Sequence, residues 1–403
     1  MREKNIIIAG AGFAGEAALK RLCGHKTILG GKYKIVVVNK NAYGEFLPML
    51  PDILGGWMHP DLLRHSVKRI AEKKEAEFIE DSVIKVNLTK KNILLGSGEY
   101  IDFEYLLLST GAEPNFYGDK DLNRNCLVLY NINDALSIRN LILKLSERKT
   151  RFNIVVIGGG YTGVEIATNI KRLLAACDCK YTIYLVEKAL EILPDLPYGI
   201  RHAVEREIRN LGIKILTGDS LKSYDCNKAT LWINDKIENA LCIWTAGVKT
   251  PDFVDYIDVG KINTRIKVDN FLRVKEPFYP NIFVAGDSAC LHDISTGVPL
   301  RMSVMFSLSQ GRLAADNIAR SIMGCRLKRY RTMDLGYLIP MAHGKAEGLV
   351  FGQFVHGLPA YLMHYFMCVY RSKWKNKAGI ISDLARKFLW DNILPYYRKK
   401  RRK

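Results

Sequence analysis

Short apolar runs alternate along the chain with spans in which apolar residues recur every three or four positions. The continuous β-branched runs at residues 5–9 and 153–157 predict parallel strands that are buried on both faces. Each run leads into a glycine-rich turn and a helical span, and a second apolar run follows at residues 33–40 and 181–188. The two copies lie 148 residues apart in the same register, so the pattern predicts a strand–helix–strand unit that occurs twice.

The rest of the chain shows the same two periods. It predicts helices over residues 60–72 and 303–323, a proline-stiffened loop over 45–51, and strands over 78–95, 100–109, 262–274 and 281–285. Residues 349–370 form the longest apolar stretch, but glycine, glutamine, histidine and proline interrupt it. We therefore predict no transmembrane helix. The charged start of the chain runs straight into the first strand, which predicts a cytosolic protein without a secretory signal.

Each glycine-rich turn has the spacing of a dinucleotide-binding loop. The first glycine permits a sharp turn, the second lets the backbone approach a pyrophosphate, and the third allows close packing of helix on strand. The helix that follows points its free N–H groups at the phosphates. A polar residue lies 24 positions after the third glycine, Asn39 in the first copy and Glu187 in the second. The repetition predicts two nucleotide-binding sites.

The chain resembles a known family through these turns together with three strand-ending motifs, Ser-Thr-Gly-Ala at 109–112, Trp-Thr-Ala-Gly at 244–247 and Ala-Gly-Asp at 285–287. The motifs follow the order found in pyridine nucleotide-disulfide oxidoreductases, and within that family they resemble type II NADH:quinone dehydrogenases. The resemblance implies an α/β fold with two Rossmann-like dinucleotide-binding domains and a C-terminal helical segment that associates with a membrane. It implies an FAD-binding domain in two parts, 1–112 and 251–330, an NADH-binding domain over 113–250, and a C-terminal domain over 331–403.

The same resemblance assigns noncovalent FAD to the first site, NADH to the second, and a membrane quinone as acceptor, without proton pumping. The FAD-binding residues that it implies are Gly10, Gly12, Phe13, Ala14, Gly15, Asn39, Lys40, Thr110, Gly111, Gly286 and Asp287. The NADH-binding residues are Gly158, Gly160, Tyr161, Thr162, Gly163, Glu187, Ala246 and Gly247. The catalytic role near the flavin and the nicotinamide falls to Glu165, although a carboxylate in a first helical turn is also favoured by the helix dipole.

Two departures from the family pattern affect the predicted sites. The glutamines that precede the Gln-Gly pair in type II dehydrogenases correspond here to Met305 and Ser309, so these two residues and Gln310 are the quinone-side candidates. Asn39 replaces the usual acid at the FAD ribose. At the NADH ribose, Glu187 accepts both hydroxyls and repels a 2′-phosphate, which favours NADH over NADPH.

The residues are also compatible with three other functions. They are NADH oxidation with a soluble or protein acceptor, a sulfide:quinone oxidoreductase-like reaction, and a non-catalytic flavoprotein that senses NADH. Thiol reduction is disfavoured, because there is no cysteine between Cys23 and Cys126, where the family's disulfide reductases carry a C-x4-C pair. A sulfide-oxidising reaction needs cysteines beside the flavin, and the sequence offers no convincing partner for Cys126. The histidine spacing predicts no metal site.

Charge is concentrated at the C-terminus. The formal net charge is +19, and residues 371–403 hold twelve Lys or Arg against two Asp. The apolar run 358–370 precedes four of these cations, and residues 379–394 predict a helix with one apolar face. That face holds Ile380, Ile381, Leu384, Phe388 and Leu389, while Asp383, Arg386, Lys387 and Asp391 lie elsewhere.

These features predict a peripheral, monotopic protein on the cytoplasmic face of the cell membrane, held by an anionic lipid surface. The basic tail at 398–403 adds electrostatic attraction. Packing of the two helices on the FAD domain, or pairing of two subunits in a homodimer, is the alternative. Nucleic acid is not predicted as a partner, because no aromatic-rich platform accompanies the tail.

Overall fold

The structure is a computed structural model, and it describes residues 4–25, 30–148, 150–234, 236–294, 296–342 and 344–392, with the side chains of 390–392 left out. The chain forms two compact units. The first unit consists of Met1–Gly44, His65–Glu113 and Val248–Met333. The second consists of Glu45–Arg64, Pro114–Gly247 and Asp334–Lys403. Residues 45–64, which were predicted as part of the first domain, thus cluster with the second unit. The C-terminal part, which was predicted as a separate domain, clusters with the second unit as well.

A five-stranded parallel sheet forms the centre of the first unit. Its strands, in spatial order, are Ile282–Val284, Tyr105–Leu108, Lys4–Ala9, Tyr33–Asn39 and Glu77–Glu80. The apolar run of the first strand is fully buried, as expected for a parallel strand covered on both faces. The helices Phe13–Cys23 and Val304–Ile322 pack against each other so closely that a Cβ on Gly311 would overlap the carbonyl oxygen of Ala14.

The other elements of the first unit surround this sheet. They are the antiparallel strands Val83–Asn87, Asn92–Leu95 and Tyr100–Asp102, the strands Lys261–Ile262, Arg265–Lys267 and Ala289–Cys290, the 3-10 helices Asp252–Tyr256 and Gly286–Ser288, and the helix Val67–Lys73. Short strands at Tyr43–Glu45, Arg64–Ser66, Glu113–Pro114 and Val248–Lys249 lie where the chain passes between units.

The single helix predicted over residues 60–72 is wrong. The chain forms a 3-10 helix at Pro60–Leu63, a strand at Arg64–Ser66 and then the helix Val67–Lys73. The new helix starts here because the Ser66 hydroxyl accepts a hydrogen bond from the backbone N–H of Arg69 at 3.1 Å. A serine inside an apolar repeat therefore acted as an N-cap.

A second five-stranded parallel sheet forms the centre of the second unit. Its strands, in spatial order, are Leu127–Val128, Ala240–Trp244, Phe152–Ile157, Tyr181–Glu187 and Lys214–Thr217. The accompanying helices are Lys120–Asn125, Ile132–Ser146, Tyr161–Leu174 and Tyr198–Asn210, and the hairpin Leu221–Asp225 with Lys228–Leu231 completes this part. The two units thus repeat the strand–helix–strand arrangement that the sequence predicts twice.

The C-terminal part of the second unit is a small sheet with two helices. The antiparallel strands are Gly336–Met341, Lys345–Val350 and Gln353–His356, and the helices are Gly357–Arg371 and Trp374–Asn392. The segment Glu45–Arg64 adds the helix Leu50–Leu54 and the 3-10 helices Leu47–Met49 and Pro60–Leu63. Across the described residues, we find no helix whose length and apolar character would let it span a bilayer.

The last helix, Trp374–Asn392, packs on the second unit through a largely polar face, and the apolar residues predicted to share one face do not all lie together. Its inward face holds Asn376, Ile380, Asp383 and Lys387, all buried. Asp383 accepts a hydrogen bond from the backbone N–H of His59 at 2.9 Å, and the Asn376 amide donates to the carbonyl of Leu62 at 2.7 Å. The apolar residues predicted together are divided, because Ile380 is buried whereas Ile381, Phe388 and Leu389 are exposed. Leu394 and the tail 398–403 lie outside the described residues.

Candidate active site

The glycine loop of the first unit forms a cradle at the carboxyl end of the strand Lys4–Ala9. Gly10 has a φ of +91°, and a Cβ on it would lie 2.5 Å from the carbonyl oxygen of Ser109. A Cβ on Gly15 would overlap the carbonyl oxygen of Gly10. A Cβ on Gly12, by contrast, would meet no atom within 4 Å, so this glycine borders open space. No side chain caps the helix that starts at Phe13. The loop therefore fits a pyrophosphate.

The second unit repeats this geometry. Gly158 has a φ of +108°, a Cβ on Gly163 would overlap the Gly158 carbonyl, and Gly160 borders open space. Thr245 fixes the loop by donating its hydroxyl proton toward the carbonyls of Ile157 at 2.7 Å and Gly158 at 3.1 Å. The helix Tyr161–Leu174 also lacks a side-chain cap. The second loop fits a dinucleotide in the same way.

A hydroxyl residue closes the first loop as well. The Ser109 hydroxyl donates to the Gly10 carbonyl at 2.7 Å. Ser109 and Thr245 belong to motifs recognised in the sequence, but neither was predicted to be a site residue. In each unit the residue directly follows the strand that pairs with the strand before the glycine loop. A small hydroxyl residue at the same position in both units is the sequence signal that could have indicated their role.

Asn39 and Glu187 occupy equivalent positions at the ends of the second strands. The amide oxygen of Asn39 accepts from the N–H of Ala11 at 2.8 Å, and one carboxylate oxygen of Glu187 accepts from the N–H of Gly159 at 2.7 Å. The other Glu187 oxygen accepts from Ala189 at 2.8 Å. The Glu187 carboxylate has further lone pairs that can accept hydrogen bonds from ribose hydroxyls. The amide oxygen of Asn39 has fewer free lone pairs and carries no charge. Lys40 follows it on the exposed surface.

Four more predicted FAD residues lie together at the ends of two adjacent strands of the first unit. The N–H of Gly111, which follows Thr110, donates to the Ser288 hydroxyl at 3.0 Å. Gly286 has a φ of +75° and precedes Asp287. Burial raises the pKa of Asp287, while the charge of the buried Arg265 and a hydrogen bond from Ser307 lower it. Arg265 was missed in the sequence, where it is one of many basic residues. The Asp287 carboxyl group, with the charge of Arg265 near it, fits an acceptor for ribityl hydroxyls.

The three quinone-side candidates have partners within the first unit. The buried side chain of Gln310 accepts from the N–H of Gly286 at 2.8 Å, so it fixes the Gly-Asp turn. The Ser309 hydroxyl lies 2.7 Å from that of Tyr330. Met305 is partly buried against the core of the unit. Their role toward a quinone stays a prediction.

Glu165 lies on the helix Tyr161–Leu174 and is half-buried. Burial raises its pKa well above the ordinary carboxyl range, and the charge of Asp52 raises it further. Both effects favour the protonated form of the carboxyl group. Asp52 is buried, and burial raises its own pKa to about 6 against the lowering effects of Lys387, Tyr365 and Arg172. Asp52 was not predicted from the sequence, because it follows a segment whose pattern indicates a loop.

The remaining predicted NADH residues surround the second loop. Tyr161 contacts Tyr337 edge to face, with ring centroids 5.8 Å apart, and Thr162 is exposed. Gly247, which follows Ala246, has a φ of +124°, and a Cβ there would collide with the hydroxyl of Tyr117. Tyr117 is 71% exposed and borders this loop, and no sequence signal identified it.

Cys126 has a neighbour that the sequence did not reveal. Its sulfur lies 3.7 Å from that of Cys242, and both thiols are buried in an apolar cluster of the second unit. Hydrogen bonding to Cys126 and burial raise the pKa of Cys242 well above its usual value. Cysteines buried in apolar surroundings are typically unreactive, so the pair has no role toward a substrate. No group of three His, Cys, Asp or Glu within the described ranges could hold a metal ion.

Comparisons with known proteins agree with this geometry. The model of the pyridine nucleotide-disulphide oxidoreductase family matches residues 4–311. A Staphylococcus saprophyticus protein named type II NADH:quinone oxidoreductase is 23% identical over 381 residues, which cover 89% of this chain and 93% of that protein. A Haemophilus influenzae protein of the same name is 25% identical over 400 residues, covering 87% and 88%. The solved structure of NDH2 from Plasmodium falciparum in complex with NADH has a TM-score of 0.80 at 17% identity, covering 96% and 98%, and shows the same fold.

Proposed function

The chain belongs to the pyridine nucleotide-disulphide oxidoreductase family, and we propose that it is a type II NADH:quinone oxidoreductase, which passes electrons from NADH through noncovalent FAD to a membrane quinone without pumping protons. The observation that carries the proposal is the pair of glycine cradles, one in each unit, each with a polar acceptor at the end of its second strand. The names of the relatives that cover most of the chain support the quinone as acceptor.

The chain's own residues bind and align the two nucleotides in this proposal. FAD, when bound, accepts a hydride equivalent from NADH and transfers two electrons to the quinone. Gly12 and Gly160 leave room for the two pyrophosphates, Asp287 accepts from the ribityl hydroxyls, and Glu187 accepts from the NADH ribose. Burial raises the pKa of Glu165, which makes its carboxyl group the candidate proton donor, and reduction of a quinone to a quinol consumes protons. The residues thus supply positioning and one proton source.

Three alternative functions make different predictions. A soluble or protein acceptor is favoured by the substitutions at Met305 and Ser309. A sulfide:quinone reaction is disfavoured by the burial of the Cys126 and Cys242 pair within the second unit. A non-catalytic NADH sensor would retain NAD and would be reoxidised slowly by every acceptor.

The first test follows the flavin directly. Under anaerobic conditions, NADH should bleach the visible absorption of the bound flavin, and ubiquinone or menaquinone analogues should restore it within the turnover time. Rapid recovery with soluble dyes and slow recovery with every quinone would instead favour the soluble-acceptor function. A flavin that NADH does not bleach would exclude all of the NADH-oxidising functions.

Replacing Glu187 with alanine should weaken NADH binding and reduce discrimination against NADPH. The lost ribose hydrogen bonds are worth on the order of 1–3 kcal/mol, which corresponds to roughly 5- to 150-fold in KM. Steady-state KM values for NADH and NADPH measure the effect. Glu191→Ala is a matched control, because Glu191 is half-exposed and pairs with Arg201 on the surface. Unchanged KM values for both nucleotides would contradict the ribose role of Glu187.

We place the protein on the cytoplasmic face of the cell membrane. The support is the arrangement of the helices Gly357–Arg371 and Trp374–Asn392, which carry exposed apolar side chains beside cations. The exposed apolar residues are Leu358, Leu362, Met363, Phe366, Tyr370, Trp374, Ile381, Phe388 and Leu389. An exposed apolar surface of this extent on a helix pair is typical of interfacial membrane binding. A homodimer formed through the same surface is the competing arrangement, and sedimentation with and without anionic vesicles distinguishes the two.

A further inference from the structure

Tyr117 is an exposed aromatic residue of the second unit with an unfavourable backbone conformation. Its φ is +52°, in the left-handed region that a bulky residue rarely adopts. The residue is 71% exposed, so burial of its side chain in a core does not account for this conformation. Backbone strain of this kind persists where the surrounding structure fixes it, and it is concentrated at ligand-binding sites. The contacts of Tyr117 therefore indicate where its ring acts.

The neighbouring residues hold Tyr117 in place. The N–H of Tyr117 donates to the side-chain oxygen of Asn115 at 2.9 Å. Asn115 is itself anchored, because its N–H donates to the Gly247 carbonyl at 3.1 Å and its carbonyl accepts from the indole of Trp244 at 2.9 Å. The ring of Phe116 stacks on that of Trp244, with ring centroids 5.1 Å apart. Tyr117 thus projects from a segment that is fixed to the central sheet of the unit.

The Tyr117 side chain lies against the end of a motif that lines the second nucleotide loop. A Cβ on Gly247 would collide with the Tyr117 hydroxyl and would lie 3.2 Å from the ring carbon that bears it. Gly247 also has a φ of +124°, so its backbone and its neighbour both require glycine. One residue earlier, the nitrogen of Ala246 would be 2.9 Å from a Cβ on Gly158. Only Ala246 and Gly247 therefore separate Tyr117 from the first glycine of the loop.

The order of the strands indicates which half of NADH reaches Tyr117. The strands of this sheet are parallel, so their carboxyl ends share one edge, and the glycine loop follows the central strand Phe152–Ile157. Glu187 ends the strand on one side of it, and Gly247 follows the strand on the other side. With the pyrophosphate on the glycine loop and the adenosine ribose on Glu187, the nicotinamide half extends toward Gly247. That direction leads to Tyr117.

We propose that Tyr117 is a further NADH-binding residue, whose ring packs against the nicotinamide riboside half of the nucleotide. The inference rests on the proposed function, since it takes the adenosine ribose to bind Glu187. An aromatic ring offers a flat apolar face to a planar heterocycle, and it loses little freedom on binding when its backbone is already fixed. Tyr117 contributes affinity for the nicotinamide riboside and none for the adenosine half.

The experiment compares NAD⁺ with ADP, which lacks the nicotinamide riboside. Dissociation constants are measured by calorimetry on the full-length protein with oxidised FAD bound, a state that NAD⁺ does not reduce. Tyr117→Ala should raise the Kd of NAD⁺ by about 10-fold, as expected for loss of an aromatic contact, and should leave the Kd of ADP unchanged. Glu187→Ala should raise both constants, because ADP retains the adenosine ribose.

Further variants separate binding from folding. Tyr117→Gly adopts a positive φ without strain, so it should lose NAD⁺ affinity as Tyr117→Ala does while its Tm stays close to that of the wild type. A lower Tm in Tyr117→Gly would instead show that the ring has a structural role. Tyr117→Phe keeps the aromatic face and should bind both nucleotides as the wild type does. Tyr100→Ala is the matched control, because Tyr100 is a 61% exposed tyrosine of the first unit, and both constants should be unchanged.

The outcomes distinguish this inference from the proposed function. If Glu187→Ala weakens both nucleotides and Tyr117→Ala weakens neither, the contact with Tyr117 is wrong and the NADH site stands. Equal weakening of NAD⁺ and ADP by Tyr117→Ala would also overturn the inference, because the residue would then act on the loop as a whole. If Glu187→Ala changes neither constant, the placement of the adenosine ribose is wrong, while a loss confined to NAD⁺ in Tyr117→Ala would still support the contact.

Discussion

Glu165→Gln should lower the rate of quinone reduction by about 10²- to 10⁴-fold, the range expected when a positioned general acid is removed. Glutamine keeps the size and polarity of the side chain but has no proton to release at neutral pH. The hydrogen bond from Asn169 ends on the backbone carbonyl of Glu165 and is retained. The bleaching of flavin by NADH should therefore remain close to the wild-type rate, and the loss should appear when a quinone is added.

The pH dependence gives an independent test of the same residue. The carboxyl group acts as an acid in its protonated form, and its pKa is raised well above the ordinary range. The rate of quinone reduction should thus be constant at lower pH and fall as the pH rises through that raised pKa. Glu165→Gln should be slow throughout and should lack this fall.

A matched control distinguishes proton supply from a general effect of neutralising a buried acid. Glu347 is another half-buried carboxyl of the second unit, and burial raises its pKa as well. Glu347→Gln should reduce quinones at the wild-type rate. If Glu165→Gln also retains the wild-type rate and its pH profile, the catalytic assignment of Glu165 is wrong.

The nucleotide sites could be predicted from the sequence because local backbone geometry dictates their residues. Gly15 and Gly163 face a carbonyl oxygen within their own loops, so no other residue fits, and the requirement is visible in a short stretch of sequence. The same holds for the helix Val304–Ile322, whose start is fixed by the Ser303 hydroxyl. Such features depend only on residues that are close in sequence, and not on contacts with distant parts of the chain.

The surroundings of Asp52 could not be predicted, because they come from parts of the chain that are distant in sequence. Asp52 and Tyr365 are hydrogen-bonded across 313 positions. A lysine on an amphipathic helix is usually exposed, and the sequence predicted only that Lys387 lies away from the apolar face. Periodicity shows which residues share a face of a helix, but it does not show which face is covered. Here the polar anchors Asp383 and Lys387 face the protein and apolar residues face outward.

The exposed apolar face of the last helix leads to the second large effect, on membrane binding. Trp374, Ile381 and Phe388 are 86%, 54% and 39% exposed on the outer side of the last helix. Replacing all three with serine should reduce partitioning onto anionic vesicles by roughly 100-fold. The estimate follows from losing on the order of 3 kcal/mol of apolar transfer free energy. Vesicle co-sedimentation over a lipid titration measures the change.

Substitution is a cleaner test than deletion of residues 379–403. Deletion would remove Asp383 and Lys387, which are buried, and would leave Asp52 without its cation. An uncompensated buried charge typically costs about 3–5 kcal/mol, so a truncated protein could lose vesicle binding through unfolding alone. The serine variant keeps both anchors, and it should retain FAD and the wild-type activity toward soluble dyes.

The control replaces an equal number of exposed apolar residues elsewhere. Tyr256, Phe278 and Ile294 of the first unit are 83%, 84% and 64% exposed, and their replacement by serine should leave vesicle binding unchanged. Raised salt should weaken the binding of the wild-type protein by screening the basic residues, while the apolar contribution remains. If the variant at Trp374, Ile381 and Phe388 binds vesicles as tightly as the control does, this helix is not the membrane contact, and pairing of two subunits becomes the better explanation of its apolar surface.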